Sequence, residues 1–205
     1  RSDLKSSKYV YLIAGVHGDE VEGVYVLSQL FEWLKEQEDI EIPLIVVPVL
    51  NVDGYRAGTR VNSHGVDLNR NLPASTWTSE AREAKYNPGP EALSEPENQF
   101  LDKLFNKFPP SFILTMHSWK PFININGDCR KAAELLERHN SYPIIEDIEG
   151  HPTPGSLGEY ATEKYDCPVL TMEFPVLTDD LSLKAIWEEN QVGLENLLSS
   201  DLLKA

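Results

Sequence analysis

Nearly continuous apolar stretches alternate with stretches of helical periodicity along this chain. Residues 9–16, Tyr9-Val10-Tyr11-Leu12-Ile13-Ala14-Gly15-Val16, and residues 42–50, Ile42-Pro43-Leu44-Ile45-Val46-Val47-Pro48-Val49-Leu50, are β-branched and almost free of polar positions. That is the pattern of strands buried on both faces. Between them Val24, Leu27, Leu30, Phe31 and Leu34 recur at helical spacing, with Glu32, Lys35 and Glu36 on the other face, which predicts an amphipathic helix. Residues 51–93 hold most of the turn-formers, including Asp53-Gly54 and Pro88-Gly89-Pro90, and read as a long functional loop region. Ser94-Glu95-Pro96-Glu97 reads as a capping box that opens a helix to about Phe108. The remaining pattern predicts strands over 112–117, near 122–125, near 143–148 and over 168–174. Helices are expected near 129–140, over 156–164 and over about 180–199.

Alternating strands and helices predict an α/β fold with a mixed, mostly parallel twisted sheet and helices on both faces. At 205 residues the chain is most simply one domain, 1–205, long enough to bury a proper core. Sites in such sheets form where strands end.

Charge narrows the partners. A formal net charge of −15 argues against nucleic acid, whose phosphate backbone needs clustered Lys and Arg. No apolar run approaches the length that crosses a bilayer, and no signal peptide is visible, so no membrane partner is expected. The expected location is cytoplasmic, although a chain opening on Arg1 rather than Met leaves its native start open. The two cysteines, Cys129 and Cys167, form no disulfide framework and read as small buried apolar residues. Oligomeric state is not legible.

Three clusters carry candidate chemistry. His17-Gly18-Asp19-Glu20 follows the first strand, and His117 ends the strand Phe112-Ile113-Leu114-Thr115-Met116. Two imidazoles and one carboxylate suit zinc, and a three-ligand site leaves one coordination position free for water. Alone, His17 and Glu20 also read as a strand-to-helix turn with a first-turn dipole partner. The run Arg60-Val61-Asn62-Ser63-His64-Gly65-Val66-Asp67-Leu68-Asn69-Arg70-Asn71 suits an anion, because Arg offers a rigid fork and Asn a neutral donor; its alternative is a polar surface loop. Glu173, directly after Val169-Leu170-Thr171-Met172, is awkward there unless it reaches a cleft, where it could serve as a base.

Together these residues resemble the zinc carboxypeptidase family: His-x-x-Glu, a distant His followed by Ser, Gly-Val-Asp-Leu-Asn-Arg-Asn and a late strand-end Glu stand in family order. The likeness runs from about residue 12 to about 180 and is strongest to the bacterial murein peptide amidase A branch. It rests on Ala14 to Glu20, Gly65 to Asn71 with Pro73 and Trp77, Ser94 to Glu97, Thr153-Pro154-Gly155-Ser156 and Glu173-Phe174-Pro175. The resemblance implies one zinc ion per chain, held by His17, Glu20 and His117. Asn69 and Arg70 would grip the terminal carboxylate of a small peptide substrate. Arg60 would polarise the scissile carbonyl, Glu173 would act as base, and Asp67 would orient His17. It also implies a cis peptide bond after the His117-Ser118 pair.

Two departures stand out. Val52 replaces a family proline. The mobile tyrosine of the digestive carboxypeptidases is missing, and His151 in Gly150-His151-Pro152-Thr153-Pro154-Gly155 occupies its approximate place, as a substitute substrate-binding group, an outer-shell group or a loop cap. The implied function is zinc-dependent removal of a C-terminal amino acid, with a murein-derived γ-D-glutamyl-diaminopimelate peptide as candidate substrate. One rival is an N-acyl amino acid deacylase of the aspartoacylase and succinylglutamate desuccinylase type, which shares His-x-x-Glu and Asp-Leu-Asn-Arg. The other is a non-catalytic zinc-containing module that binds peptide C-termini, which would be expected to have lost ligands or base.

Overall fold

A computed structural model of the chain describes residues 8–148 and 150–204. Six strands form one sheet: β1 (Tyr9–Ala14), β2 (Leu44–Val47), β3 (Pro110–Trp119), β4 (Phe122–Asn126), β5 (Ile144–Ile145) and β6 (Val169–Pro175). The helices are α1 (Val21–Glu36), α2 (Val52–Ala57), α3 (Pro96–Lys107), α4 (Arg130–Asn140), α5 (Leu157–Tyr165) and α6 (Leu183–Ser199). Strand order is β2-β1-β3-β6-β4-β5. Strands β2, β1, β3 and β6 pair in parallel, β4 pairs antiparallel with β6, and β5 pairs in parallel with β4. The expected mixed, mostly parallel sheet is present.

The two-residue period of β1 sorts its side chains between two cores. Val10, Leu12 and Ala14 join Val24, Leu27 and Leu30 of α1, together with apolar residues of α4 and α6. Tyr11 and Ile13 face Leu101 and Phe105 of α3 and Leu157 and Tyr160 of α5. Helices therefore cover both faces, which is why the central strands read as continuous apolar runs. Two glycines set how closely the layers approach. A Cβ on Gly23 would lie 2.7 Å from the Met116 carbonyl oxygen, and one on Gly18 2.0 Å from the Gly54 carbonyl carbon. Only glycine lets α1 settle against β3 and the turn after β1 settle against α2.

Several local expectations are corrected. Helix α3 starts without a capping box: Glu95 is its N-cap without a side-chain cap bond, and Pro96 takes the first turn. Ser94 Oγ instead donates to Glu95 Oε1 and accepts from Asn71 Nδ2. Helix α2 lies inside the stretch read as loop, its N-cap Asn51 accepting from Gly54 N–H. Val52 opens it, at a first-turn position that suits proline but does not require it. Strand β5 has only two residues. Every peptide bond among the described residues is trans. The bond after Ser118 expected to be cis is therefore trans, and β3 keeps unbroken register with β6 through Trp119↔Pro175. Cys129 and Cys167 are buried free thiols. No helix among the described residues is long and apolar enough to cross a membrane.

Candidate active site

The site lies beyond the C-terminal ends of β1, β3 and β6. His17 follows β1, Glu20 is the N-cap of α1, and His117 sits near the end of β3. Their donor atoms converge: His17 Nδ1 is 2.7 Å from Glu20 Oε1, His117 Nδ1 is 2.8 Å from Glu20 Oε2, and the two Nδ1 atoms are 3.2 Å apart. Both imidazoles are buried. Ser118 N–H donates to Glu20 Oε2 at 3.3 Å, steadying the carboxylate.

Asp67 is the hub behind this triad. It has no exposed surface, yet accepts four hydrogen bonds. Oδ1 takes His17 Nε2 at 3.0 Å and Asn69 N–H at 2.9 Å, while Oδ2 takes Arg60 Nε at 3.1 Å and Nη2 at 2.9 Å. Burial pushes the Asp67 carboxyl up, but the neighbouring charges of His17 and Arg60 overcome it and hold the group well below the usual range. Arg60 also reaches Glu20 Oε1 at 3.4 Å. Burial disfavours its charge, and Asp67 and Glu20 more than offset that.

This donor set fits a metal ion. An ionised carboxylate only accepts, so Asp67 holds the Nε2–H of His17 and leaves Nδ1 as the ring's lone pair, aimed at Glu20 and His117. Tetrahedral zinc places its donors roughly 3.3 Å apart; the two Nδ1 atoms match that at 3.2 Å, the Glu20 oxygens sit closer at 2.7 and 2.8 Å, and these three residues form the candidate metal cluster found among the described residues. Without a cation the lone pairs must share a proton. Burial would push His17 down, but Glu20 and Asp67 raise it to about 9. Burial pushes His117 down, against the charge of Glu20.

Glu173 stands directly across from His117 in the β3–β6 register. It lines the same cavity, and its carboxylate has no hydrogen-bond or ion-pair partner among the described residues. Burial first, and then the charge of Glu20, push its carboxyl up to about 8, the range of a base poised near neutrality. One group escapes sequence reasoning. Glu22, 3% exposed, accepts from Ser118 Oγ at 2.6 Å and from Leu177 N–H at 2.8 Å. It ties α1 to the neighbour of His117 and to the loop after Glu173. Its place two residues after Glu20, on what the sequence reads as an ordinary helix start, gave no signal.

Asn69 and Arg70 face the same cavity, of about 350 Å³. Asn69 Oδ1 accepts from Leu157 N–H at 2.8 Å, which leaves its amide NH₂ as a donor to the cavity. Arg70, 8% exposed, donates from Nη1 to Asn69 O at 2.6 Å. It has no carboxylate within ion-pair distance among the described residues, and burial pushes its acidity up. A buried guanidinium in that state is ready for an anion. His151 also lines the cavity; its ring packs edge-on to Trp119 at 4.8 Å and lies 3.4 Å from Arg82 Nη2, away from the donor triad. Trp119 is at the rim, whereas Trp77 lies outside this cavity, against Gly155. His64, exposed, pairs with Glu95 at 2.7 Å. Thus His17, Glu20, His117, Arg60, Asn69, Arg70, His151 and Glu173 meet around one cavity, with Asp67 behind them.

Comparison with known proteins follows the same lines. Residues 6–108 match the family described as succinylglutamate desuccinylase/aspartoacylase catalytic domain. Murein peptide amidase A of Escherichia coli (strain K12) is 32% identical over 181 residues, covering 82% of this chain and 72% of that protein. The solved structure of murein-tripeptide amidase MpaA from Escherichia coli O157 superposes with a TM-score of 0.78 at 29% identity, over 95% of this chain and 83% of that one. Carboxypeptidase A from Helicoverpa armigera gives a TM-score of 0.78 at 17% identity, over 98% of this chain and 63% of that one, a likeness of fold.

Proposed function

Since the chain belongs to the succinylglutamate desuccinylase/aspartoacylase catalytic-domain family and, among zinc carboxypeptidases, to the murein peptide amidase A branch, we propose that it removes the C-terminal residue of a small peptide with zinc as its metal. It is a metal-dependent hydrolase of the carboxypeptidase and amidase type. His17, Glu20 and His117 would hold the ion, which when bound acidifies water and polarises a carbonyl. Arg70 and the Asn69 amide would take the terminal carboxylate and so fix which bond is cut. Glu173 would accept a proton from the attacking water and deliver it to the leaving amine. Arg60, anchored by Asp67, would donate to the oxygen on which negative charge develops. His151 would form part of the substrate-binding wall beside Arg82 and Trp119.

The observation that carries this reading is the convergence of the three donors at strand ends with the unpartnered Glu173 opposite His117. The candidate substrate is a murein-derived γ-D-glutamyl-diaminopimelate peptide, a reading supported by relatives named as murein peptide and murein-tripeptide amidases. The N-acyl amino acid deacylase reading is favoured by the match over residues 6–108, and both readings use an anion clamp. A reading without catalysis is at odds with the enzymic relatives and with the full set of donors and base.

Zinc-loaded protein should be incubated with a mixed panel of peptides, including γ-D-glutamyl-diaminopimelate peptides, and acyl-amino acids, with products read by mass. Loss of one C-terminal residue is expected, abolished by amidating the terminal carboxylate and with KM raised strongly in Arg70→Ala. Turnover of acyl-amino acids alone would overturn the peptidase reading.

A further inference from the structure

The cleft has two chambers of different charge. The first holds the donor triad and is of mixed charge, with Arg60, Arg70, Arg82 and Lys85 beside Asp19, Glu20, Glu22 and Glu173. The second, about 450 Å³, shares Asn69, His151 and Glu173 with the first. Beyond them it is walled by Glu146, Asp147 and Glu159, without Lys or Arg among its described lining. We propose that Arg82, supported by Lys85 and seated on Tyr86, is a second carboxylate-binding subsite that reads an acidic group on the acyl side of the scissile bond. This rests on the peptidase reading above and assigns a residue to the second carboxylate that the candidate substrate carries.

The Tyr86 ring gathers four cations. Arg82 Cζ lies 4.8 Å from its centroid, Lys85 Nζ 5.0 Å, Arg60 Cζ 5.2 Å and Arg70 Cζ 5.4 Å. Any two are thus no further apart than about three extended residues. In a chain with 18 Lys and Arg against 33 Asp and Glu, four cations around one ring run against the overall charge, and like charges this close repel unless an anion joins them. Two are already engaged: Arg60 by Asp67 at 2.9 Å and Lys85 by Glu83 at 3.5 Å. Arg70 and Arg82 are not held in this way. Arg82 donates to the Gly150 carbonyl at 2.7 Å, and its nearest carboxylate contact is a loose 3.9 Å to Glu83. Two guanidinium forks with N–H groups to spare call for two carboxylates.

Orientation follows from the shared wall. With the terminal carboxylate on Arg70 and Asn69, the leaving residue borders the acidic chamber, and its side chain enters there. The acyl part then lies in the first chamber, on the side lined by Arg82, Lys85 and Tyr86. The Gly150 carbonyl and the His151 ring, itself packed on Trp119, give Arg82 two contacts at that space while 40% of its side chain stays exposed to meet a substrate.

The test compares γ-D-glutamyl-diaminopimelate with the same peptide whose glutamyl carboxylate is amidated. Wild type should prefer the free acid by about 10- to 100-fold in kcat/KM, the worth of one charge-assisted hydrogen-bond pair. In Arg82→Gln that ratio should fall to near one, and in Arg82→Lys to an intermediate value, with metal content and melting temperature checked in parallel. The penalty for amidating the terminal carboxylate should persist in both variants. A wild type that does not discriminate, or a ratio unchanged in Arg82→Gln, overturns the subsite. If neither peptide is cleaved, the peptidase reading fails instead, and calorimetric binding of the same two peptides to the metal-loaded protein decides the subsite by the same ratio.

Discussion

Replacing Asp67 by Asn changes one buried atom and disturbs three partners. The carboxylate accepts from His17 and Asn69 on one oxygen and from two Arg60 nitrogens on the other. An asparagine must turn its NH₂ toward one pair of donors. Facing Arg60, it opposes two N–H groups and frees the guanidinium to draw Glu20, already 3.4 Å away, off the metal. Facing His17, it forces the imidazole to carry its proton on Nδ1, the atom proposed to bind metal. Losing such an outer partner costs about 10- to 100-fold in metal affinity, or about 1.4 to 2.7 kcal/mol. The metal-free fold should lose about 1–3 kcal/mol from unsatisfied buried donors, toward the lower end because Arg60 keeps 22% of its side chain exposed. Chelator competition reads the first quantity, and urea unfolding of metal-free protein reads the second. Zinc affinity within about threefold of wild type would show that Asp67 does not orient His17, and the outer-shell reasoning would fall.

Glu173→Gln keeps the shape but cannot accept a proton, so kcat should drop by at least about 100-fold with zinc content unchanged; a wild-type rate would move the base elsewhere. The same variant should alter the pH profile of metal-free stability. Folding raises Glu173 from 4.5 to about 8, so its contribution is full below pH 4.5 and is lost as pH climbs to about 8, at no more than about 1.4 kcal/mol per unit. Melts from pH 5 to 8 should therefore decline less steeply in Glu173→Gln than in wild type, and parallel slopes would contradict the raised value. Gly23→Ala should push α1 away from the Met116 carbonyl and weaken zinc binding through Glu20 as well as stability; isothermal titration showing unchanged affinity would separate helix position from the site.

The central strands were legible because they are buried on both faces, and such burial writes itself as unbroken Val, Ile and Leu. The donors were legible because they hang from the ends of those strands. Weaker elements were not. The Ser94 to Glu97 pattern fits a capping box, but Asn71 claims the Ser94 hydroxyl, a contact between residues far apart in sequence. Asn51 caps α2 within a segment whose glycines and prolines signal loop. Arg82 and Lys85 look like ordinary surface charges until the fold seats them beside Arg60 and Arg70 on one ring. The trans bond at Ser118 shows a detail carried by resemblance that the local pairing of β3 with β6 does not reproduce.

The strand order has a bearing on how the protein matures. The proposed metal donors come from the turn between β1 and α1 and from β3, the neighbour of β1 in the sheet, whereas Glu173 arrives on β6, the last strand made and the one that slots between β3 and β4. A chain emerging from the ribosome can thus complete its donor set more than fifty residues before its base is synthesised. The proposed metal donors and the base thus belong to separate parts of the chain, joined only when β6 takes its place beside β3 and brings Glu173 across from His117.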